Sequence, residues 1–124
     1  MRRLEIAQAL VNRPKVLFLD ELPQRLSRTD CLVIETLFDV RHTHNSEILV
    51  PWFCIAAASS YENAFPAIHE FLGIYGRGKF LRPLYRALHQ NVTTRDLARQ
   101  WFGEFAERYH SVGRNAVARI LEKA

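Results

Sequence analysis

Apolar residues recur every three or four positions through most of this 124-residue chain, which is the spacing of one face of an α-helix. Only Val16 to Leu19 is ambiguous, because a four-residue apolar run also fits a buried strand. The sequence therefore predicts an all-α fold. The apolar faces of the predicted helices comprise Leu4, Ile6, Ala7, Leu10 and Val11; Leu32, Val33, Leu37 and Phe38; Ile48, Leu49, Trp52, Phe53 and Ile55; Phe65, Ile68, Phe71 and Leu72; Leu97, Trp101, Phe102 and Phe105; and Val112, Val117, Ile120 and Leu121.

Capping residues and helix breakers predict where these helices begin and end. Pro14 ends the first helix near Asn12, and Gly73 and Gly76 mark the end of a helix that starts at Tyr61. Six or seven short helices with short connections should stack as antiparallel pairs, in a bundle or a short solenoid without a repeat of fixed period. The predicted N-caps are Ser27, either Asn45 or Ser46, and either Thr93 or Thr94, and the last helix is predicted to start at Ser111.

Composition narrows the class of protein. With 124 residues and 48% hydrophobic content, the chain can form the core of one ordinary domain, and no apolar run approaches the roughly 20 residues of a membrane span. We therefore expect a cytoplasmic protein, with Cys31 and Cys54 as buried free thiols. The net charge of +4 permits contact with nucleic acid, but acidic residues interrupt the cations throughout, so nucleic-acid binding is a minority interpretation.

A segment near the middle of the chain has the chemistry of an anion site. It reads Gly76-Arg77-Gly78-Lys79-Phe80 and directly precedes a predicted helix from Phe80 to His89. Gly76 and Gly78 would let the backbone turn sharply, and the N–H groups of a helix start favour negative charge. Arg77 and Lys79 are therefore candidate ligands for a carboxylate, although solvated cations in a surface turn remain an alternative.

Several separate motifs make the chain resemble the C-terminal helical domain of leukotriene A4 hydrolase and related M1-family zinc aminopeptidases. The resemblance covers residues 18–124 and is most specific at the GRGKF segment and the RPLYRAL that follows it. The other matching segments are Asn45-Ser46-Glu47-Ile48, Trp52, Tyr61-Glu62-Asn63-Ala64-Phe65-Pro66 and Tyr109-His110-Ser111-Val112, where the family usually has proline at position 111.

This resemblance implies both a fold and a function. It implies a right-handed α-α superhelix of the armadillo or HEAT type, packed beside a separate catalytic domain that holds the zinc. In the family, the loop that matches residues 76–80 reaches the active-site cleft. By position, Arg77 and, to a lesser degree, Lys79 would bind the free carboxylate of a peptide or lipid substrate, with Gly76 and Gly78 shaping the loop.

A second resemblance concerns the first 21 residues. They look like the helix and Walker B strand of an ABC transporter ATPase, in which Asp20 and Glu21 would hold Mg²⁺ and orient water. The chain has no GxxxxGK[ST] loop and no LSGGQ segment, so ATP hydrolysis is not expected. We therefore divide the chain into an N-terminal helical extension, residues 1–21, and the aminopeptidase-type helical domain, residues 22–124.

The chain lacks the sequence pattern of a catalytic centre. His69-Glu70 begins like HExxH, but residue 73 is glycine, so the second zinc ligand is missing. His42 and His44 form an isolated pair in a predicted loop, and His89 and His110 should interact with terminal carbonyls of helices. We predict a non-catalytic domain without a cofactor of its own, whose partners are a zinc catalytic domain and a carboxylate substrate. A stand-alone helical scaffold and an ABC ATPase remnant are the alternatives.

Overall fold

The computed structural model describes residues 26–40 and 42–122, and over these residues the chain is helical. This confirms the predicted all-α class. No strand occurs in this part of the chain, while the right-handed superhelix stays a prediction. The six α-helices are α1 (Arg28–Leu37), α2 (Ser46–Ala58), α3 (Phe65–Ile74), α4 (Gly78–Gln90), α5 (Val92–Phe105) and α6 (Ser111–Glu122), with short 3₁₀ segments at Glu62–Ala64 and Ala106–Arg108.

Small polar side chains begin three of these helices. The Ser27 hydroxyl accepts a hydrogen bond from the Asp30 amide at 3.1 Å, and Asn45 Oδ1 accepts one from the Glu47 amide at 3.0 Å. Both caps agree with the sequence predictions. The cap of α5 differs: it is Asn91, whose Oδ1 accepts from the Thr93 amide at 3.1 Å, rather than Thr93 or Thr94. Capping by Asn91 is favoured because its amide group also bonds to a distant turn.

Side-chain hydrogen bonds, including this second set from Asn91, fix the C-terminal end of α4. Its Nδ2 donates to the Ala57 carbonyl and to the Ser60 hydroxyl, each at 2.8 Å, and so joins this junction to the end of α2. The Thr94 hydroxyl donates to the Leu88 carbonyl at 2.6 Å, and Arg95 Nε donates to the His89 carbonyl at 2.9 Å. The carbonyls of Leu88 and His89 in the last turn of α4 are therefore satisfied by side chains rather than left to water.

The core is built around α4, which packs against α2, α5 and α6. Its Leu81, Leu84, Tyr85 and Leu88 are fully buried. Edge-to-face aromatic contacts extend this core, with ring centroids 5.8 Å apart between Trp52 and Tyr61 and 5.5 Å apart between Phe53 and Phe71. The aromatic residues that the sequence predicts for the core do belong to it. Trp52, Trp101 and Phe71 are buried, and Phe65 is half-buried.

Some predicted positions differ from the structure. The sequence pattern places Leu32, Leu37 and Val112 on apolar faces, but all three are exposed, because the buried face of α1 consists of Asp30, Cys31 and Ile34, and Val112 lies in the first turn of α6. Cys31 is buried, but Cys54 is only half-buried, and neither thiol forms a disulfide. The Cys31 pKa is raised by burial.

Two further predictions concern the N-terminal segment and the absence of a membrane span. The helical extension of residues 1–21, with its ABC-like Asp20 and Glu21, lies outside the described residues, so the domain boundary after residue 21 stays a prediction. Within residues 26–40 and 42–122, no helix is long and apolar enough to cross a membrane.

Candidate anion-binding groove

The GRGKF segment lies on a surface groove of about 640 Å³. The groove is formed where the start of α4 meets the start of α6. Among the described residues, its lining contains four cationic side chains and a histidine but no aspartate or glutamate. The lining residues are Gly76, Arg77, Gly78, Lys79, Arg82, Arg108, His110, Val112, Gly113 and Ala116.

The glycines of this segment act through close packing rather than through an unusual backbone conformation. No glycine in the described residues has a positive φ, so the turn at Gly76 and Gly78 does not use a backbone conformation reserved for glycine, and their role in shaping the loop stays a prediction. A Cβ at Gly76 would lie 3.6 Å from Tyr109 Cδ1, and one at Gly113 would lie 3.5 Å from both the Gly76 carbonyl oxygen and the Gly78 amide nitrogen. The starts of α4 and α6 are thus in backbone contact, which small residues permit.

The start of α4 has no side-chain cap. Arg77 occupies the N-cap position with extended φ and ψ of −76° and 132°, and its side chain makes no capping hydrogen bond. The first turn of α4 also contains no acidic residue. Terminal N–H groups and the helix dipole at this end favour an anion, so cations such as Arg77 and Lys79 are placed where they cost stability unless an anion binds.

The start of α6 lies on the same groove. His110 precedes this helix, and its Nδ1 accepts a hydrogen bond from the Val112 amide at 3.3 Å. The prediction that His110 interacts with terminal carbonyls is therefore wrong, because the residue sits at the amide end of a helix. Two helix N-termini consequently meet at one groove, and both contribute a partial positive charge to it.

Arg77 and Lys79 differ in their partners. Lys79 Nζ forms an ion pair with Glu47 Oε1 at 3.0 Å, between two side chains that are more than half exposed. Arg77 lies 5.9 Å from the centre of the Phe80 ring and makes no ion pair with any residue in the described part of the chain. The guanidinium of Arg77 is therefore the more available of the two cations for a ligand.

Two further arginines belong to the groove. Arg82 Nε donates to the Gly78 carbonyl at 3.2 Å, and Arg108 Nη1 donates to the Gly73 carbonyl at 3.4 Å while its guanidinium lies 5.4 Å from the Phe105 ring centre. Arg108 was not among the site residues predicted from the sequence. Its position directly before the Tyr109-His110-Ser111-Val112 motif could have indicated it, but the contact between that motif and the loop depends on how α4 and α6 pack.

Two buried tyrosines, Tyr85 and Tyr109, form a hydrogen-bonded pair next to the groove residues Arg108 and His110. The Tyr109 hydroxyl donates to the Leu72 carbonyl at 2.8 Å, so the Tyr85 hydroxyl must donate to Tyr109 across their 2.9 Å contact. Burial raises the pKa of Tyr109 to about 12 and raises the pKa of Tyr85 well above its usual value. Both hydroxyls are therefore neutral near pH 7, and the pair braces the segment that carries Arg108 and His110.

The remaining histidines lie elsewhere and do not form a metal centre. His42 Nδ1 contacts Asp39 Oδ1 at 2.6 Å, and His69 Nε2 contacts Glu104 Oε2 at 2.9 Å beside the Phe105 ring. Over residues 26–40 and 42–122, no group of three or more His, Cys, Asp or Glu side chains could hold a metal ion. The described residues therefore do not fit a zinc site.

Comparison with known proteins identifies a family that this chain matches. The family model described as "Leukotriene A4 hydrolase, C-terminal" matches residues 10–121, which is most of the chain. The GRGKF segment and the residues on the α6 side of the groove all fall inside the matched range.

Fungal proteins named leucine aminopeptidase 2 are similar over the same region. The protein of Lodderomyces elongisporus is 37% identical over 89 residues, covering 70% of this chain and 13% of its own length. Those of Yarrowia lipolytica and Pyricularia oryzae are 31% and 32% identical, and cover 69% and 81% of this chain but 13% and 16% of their own lengths. The chain thus spans less than a fifth of these curated relatives. Together, the helical fold, the loop motif and these matches show that the chain belongs to the leukotriene A4 hydrolase C-terminal domain family.

Proposed function

We propose that this chain is a non-catalytic helical domain that binds the carboxylate of a peptide or lipid substrate beside a separate zinc catalytic domain. Arg77 is the principal ligand in this proposal, and Lys79 is a secondary one. The observation that carries the proposal is the charge of the groove, whose described lining residues include Arg77, Lys79, Arg82 and Arg108 and no acidic side chain.

The geometry supports different contributions from Arg77 and Lys79. A guanidinium offers paired N–H donors that match both oxygens of a carboxylate, and Arg77 lies at the uncapped start of α4. Lys79 must leave or share its contact with Glu47 to reach a ligand. Gly76 and Gly78 keep this backbone close to α6 and hold both cations at the groove.

The relatives support the proposed partner. Proteins named leucine aminopeptidase 2 are several times longer than the region that this chain matches, and the described residues do not fit a zinc site. We therefore place the zinc and the peptide-cleaving chemistry on a catalytic domain, either in a longer parent protein or on a partner chain. The cytoplasmic location expected from the sequence belongs to this proposal as well.

Binding of a simple peptide carboxylate tests the role of the groove. The ¹⁵N-labelled chain is titrated with acetyl-Ala-Ala-Gln and with the same peptide amidated at its C-terminus, and binding is followed by NMR chemical shifts. We expect the free carboxylate to bind more tightly. Arg77→Ala should weaken its binding by about tenfold or more, because a charge-assisted hydrogen bond contributes about 1.5–3 kcal/mol.

Two other variants separate the site from general charge. Lys79→Ala should weaken binding by no more than about threefold, since exposed ion pairs are weak. Arg86→Ala removes a charge from the exposed side of the same helix, outside this groove, and should change binding by less than about twofold. Equal indifference to the Arg77 and Lys79 changes would remove the proposed site.

The absence of catalysis is tested separately. We expect the purified chain to bind no stoichiometric zinc and to release no product from a leucine anilide substrate. Robust aminopeptidase activity that is lost on chelation and restored by zinc would contradict the non-catalytic role.

A further inference from the structure

The groove holds more positive charge than one carboxylate requires. Arg77 and the start of α4 can bind a single carboxylate, yet Arg82 and Arg108 line the same groove, and no acidic side chain from residues 26–40 or 42–122 lines it to neutralise them. Uncompensated cations near each other repel, and two helix N-termini add to that repulsion. A ligand with two negative groups would relieve it.

The second pair of arginines is held in position by the backbone. Arg82 Nε donates a hydrogen bond to the Gly78 carbonyl, and one terminal nitrogen of Arg108 donates to the Gly73 carbonyl. Each guanidinium has five N–H donors, so each retains donors for a ligand. The anchoring bonds and the contact of Arg108 with the Phe105 ring reduce the conformational entropy that ligand binding must remove.

The two arginines also differ from Lys79 in their availability. Lys79 is occupied by Glu47, whereas Arg82 follows Gly78 by one helical turn and Arg108 precedes the start of α6. The groove volume of about 640 Å³ is ample for the last residue of a peptide together with its side chain. Arg82 and Arg108 are the cations of this lining that remain for a second anionic group on that residue.

We propose that the groove selects peptides whose C-terminal residue is aspartate or glutamate, with the main-chain carboxylate at Arg77 and the side-chain carboxylate between Arg82 and Arg108. This inference rests on the proposed function, because it assigns a second subsite to the same groove. The ligand class is a peptide dicarboxylate, and the selectivity comes from pairing a second charge rather than from the shape of an apolar pocket.

The test compares peptides that differ only in the second charge. The NMR titration uses acetyl-Ala-Ala-Glu against acetyl-Ala-Ala-Gln, at low and at high salt. We expect the glutamate peptide to bind about five- to tenfold more tightly at low salt, and this ratio to fall as added salt screens the charges. Acetyl-Ala-Ala-Glu with an amidated C-terminus should lose most of its affinity, because the Arg77 contact is gone.

Variants locate the second subsite. Arg82→Gln and Arg108→Gln should each lower the glutamate-to-glutamine affinity ratio to about two or less, while binding of the glutamine peptide changes by less than about threefold. Arg86→Gln, one helical turn beyond Arg82 on α4 and outside the groove, should leave the ratio unchanged. Circular dichroism melts check folding, and Arg82→Gln carries the test if Arg108→Gln is unstable, since Arg82 is exposed.

The outcomes distinguish the two proposals. Equal affinity for the glutamate and glutamine peptides in the unsubstituted chain would overturn the dicarboxylate subsite and leave the Arg77 site intact. A glutamate preference that survives both arginine substitutions would also overturn it. If neither free carboxylate peptide binds better than its amide, the proposed function itself fails, and the inference fails with it.

Discussion

The two ends of α4 satisfy their terminal backbone groups in opposite ways. At the C-terminal end, Thr94 and Arg95 donate to the carbonyls of Leu88 and His89, and the next residue after the helix, Asn91, bonds to Ala57. All of these partners come from the chain itself. That end is closed to ligands, because its hydrogen-bonding capacity is used in joining α2, α4 and α5.

The N-terminal end is open. Arg77 occupies the cap position without a capping bond, and Lys79 and Arg82 follow within the first turns, where a helix dipole disfavours cations. Gly113 brings a second helix start against this one. The closed end stabilises the fold, whereas the proposed function assigns ligand binding to the open end. An acidic or small polar residue at position 77 would suit the helix start better if stability alone were optimised.

Breaking the closed end should have the largest effect on stability. Asn91→Ala removes the cap of α5 and the side-chain hydrogen bonds to Ala57 and Ser60, so we expect the free energy of unfolding to fall by about 3 kcal/mol. Urea denaturation followed by circular dichroism measures the change.

A matched variant separates the two roles of Asn91. Asn91→Asp keeps an oxygen for the Thr93 amide and suits the start of α5, but it cannot donate to Ala57. It should therefore recover only part of the loss. Full recovery would show that capping alone matters and that the link to α2 contributes nothing.

Alkaline pH should weaken the support beneath the open end. The pKa of Tyr109 is about 12 in the folded chain, against an ordinary value near 10, and Tyr85 is shifted in the same direction. The unfolded chain gives up these protons first, so the stability of the neutral pair is complete below about pH 10 and is lost as pH rises toward 12. We expect a loss of about 2 kcal/mol from Tyr109 over this range.

Denaturation midpoints between pH 8 and about pH 11.5 check this expectation. Tyr109→Phe lacks the titrating hydroxyl, and its stability should fall less steeply above pH 10 even though it starts lower, because it has lost the hydrogen bond to Leu72. Parallel pH profiles for the two proteins would contradict the assignment of the alkaline loss to Tyr109.

Local sequence signals predicted the helices better than they predicted the contacts between them. Ser27 and Asn45 were recognisable as caps because their acceptors and donors lie within three residues. Asn91 was missed because Thr93 and Thr94 are also good capping residues, and the contact that decides between them joins Asn91 to Ala57, 34 residues away. Long-range contacts of this kind leave no periodic pattern in the sequence.

The same distinction applies to the groove. The motif around Arg77 and Lys79 identified one side of it, whereas the pairing of Lys79 with Glu47 connects residues 32 positions apart. Arg108 reaches the groove because α6 packs against α4, which brings Gly113 close to Gly76 and Gly78. Glycine is also an ambiguous signal in a sequence, because a left-handed turn and a close approach between helices both favour it. In the structure the described glycines have no positive φ, and Gly113 lies close to Gly76 and Gly78.

The smallest expected effect on stability comes from closing the open end, and its sign is opposite to the others. Arg77 already has the extended backbone of an N-cap residue, so Arg77→Asp would supply a capping carboxylate and a favourable charge at the start of α4. We expect the free energy of unfolding to rise by about 1 kcal/mol while peptide carboxylate binding is lost. Arg77→Ala separates the two effects, because it should lose binding without gaining the cap.

The introduced carboxylate could also pair with neighbouring cations of the groove, but that contribution is screened, so a stability gain that persists at high salt identifies the cap. A destabilised Arg77→Asp protein would show that Arg77 supports the fold itself, and the contrast between a closed, stabilising end and an open, binding end of α4 would then no longer hold.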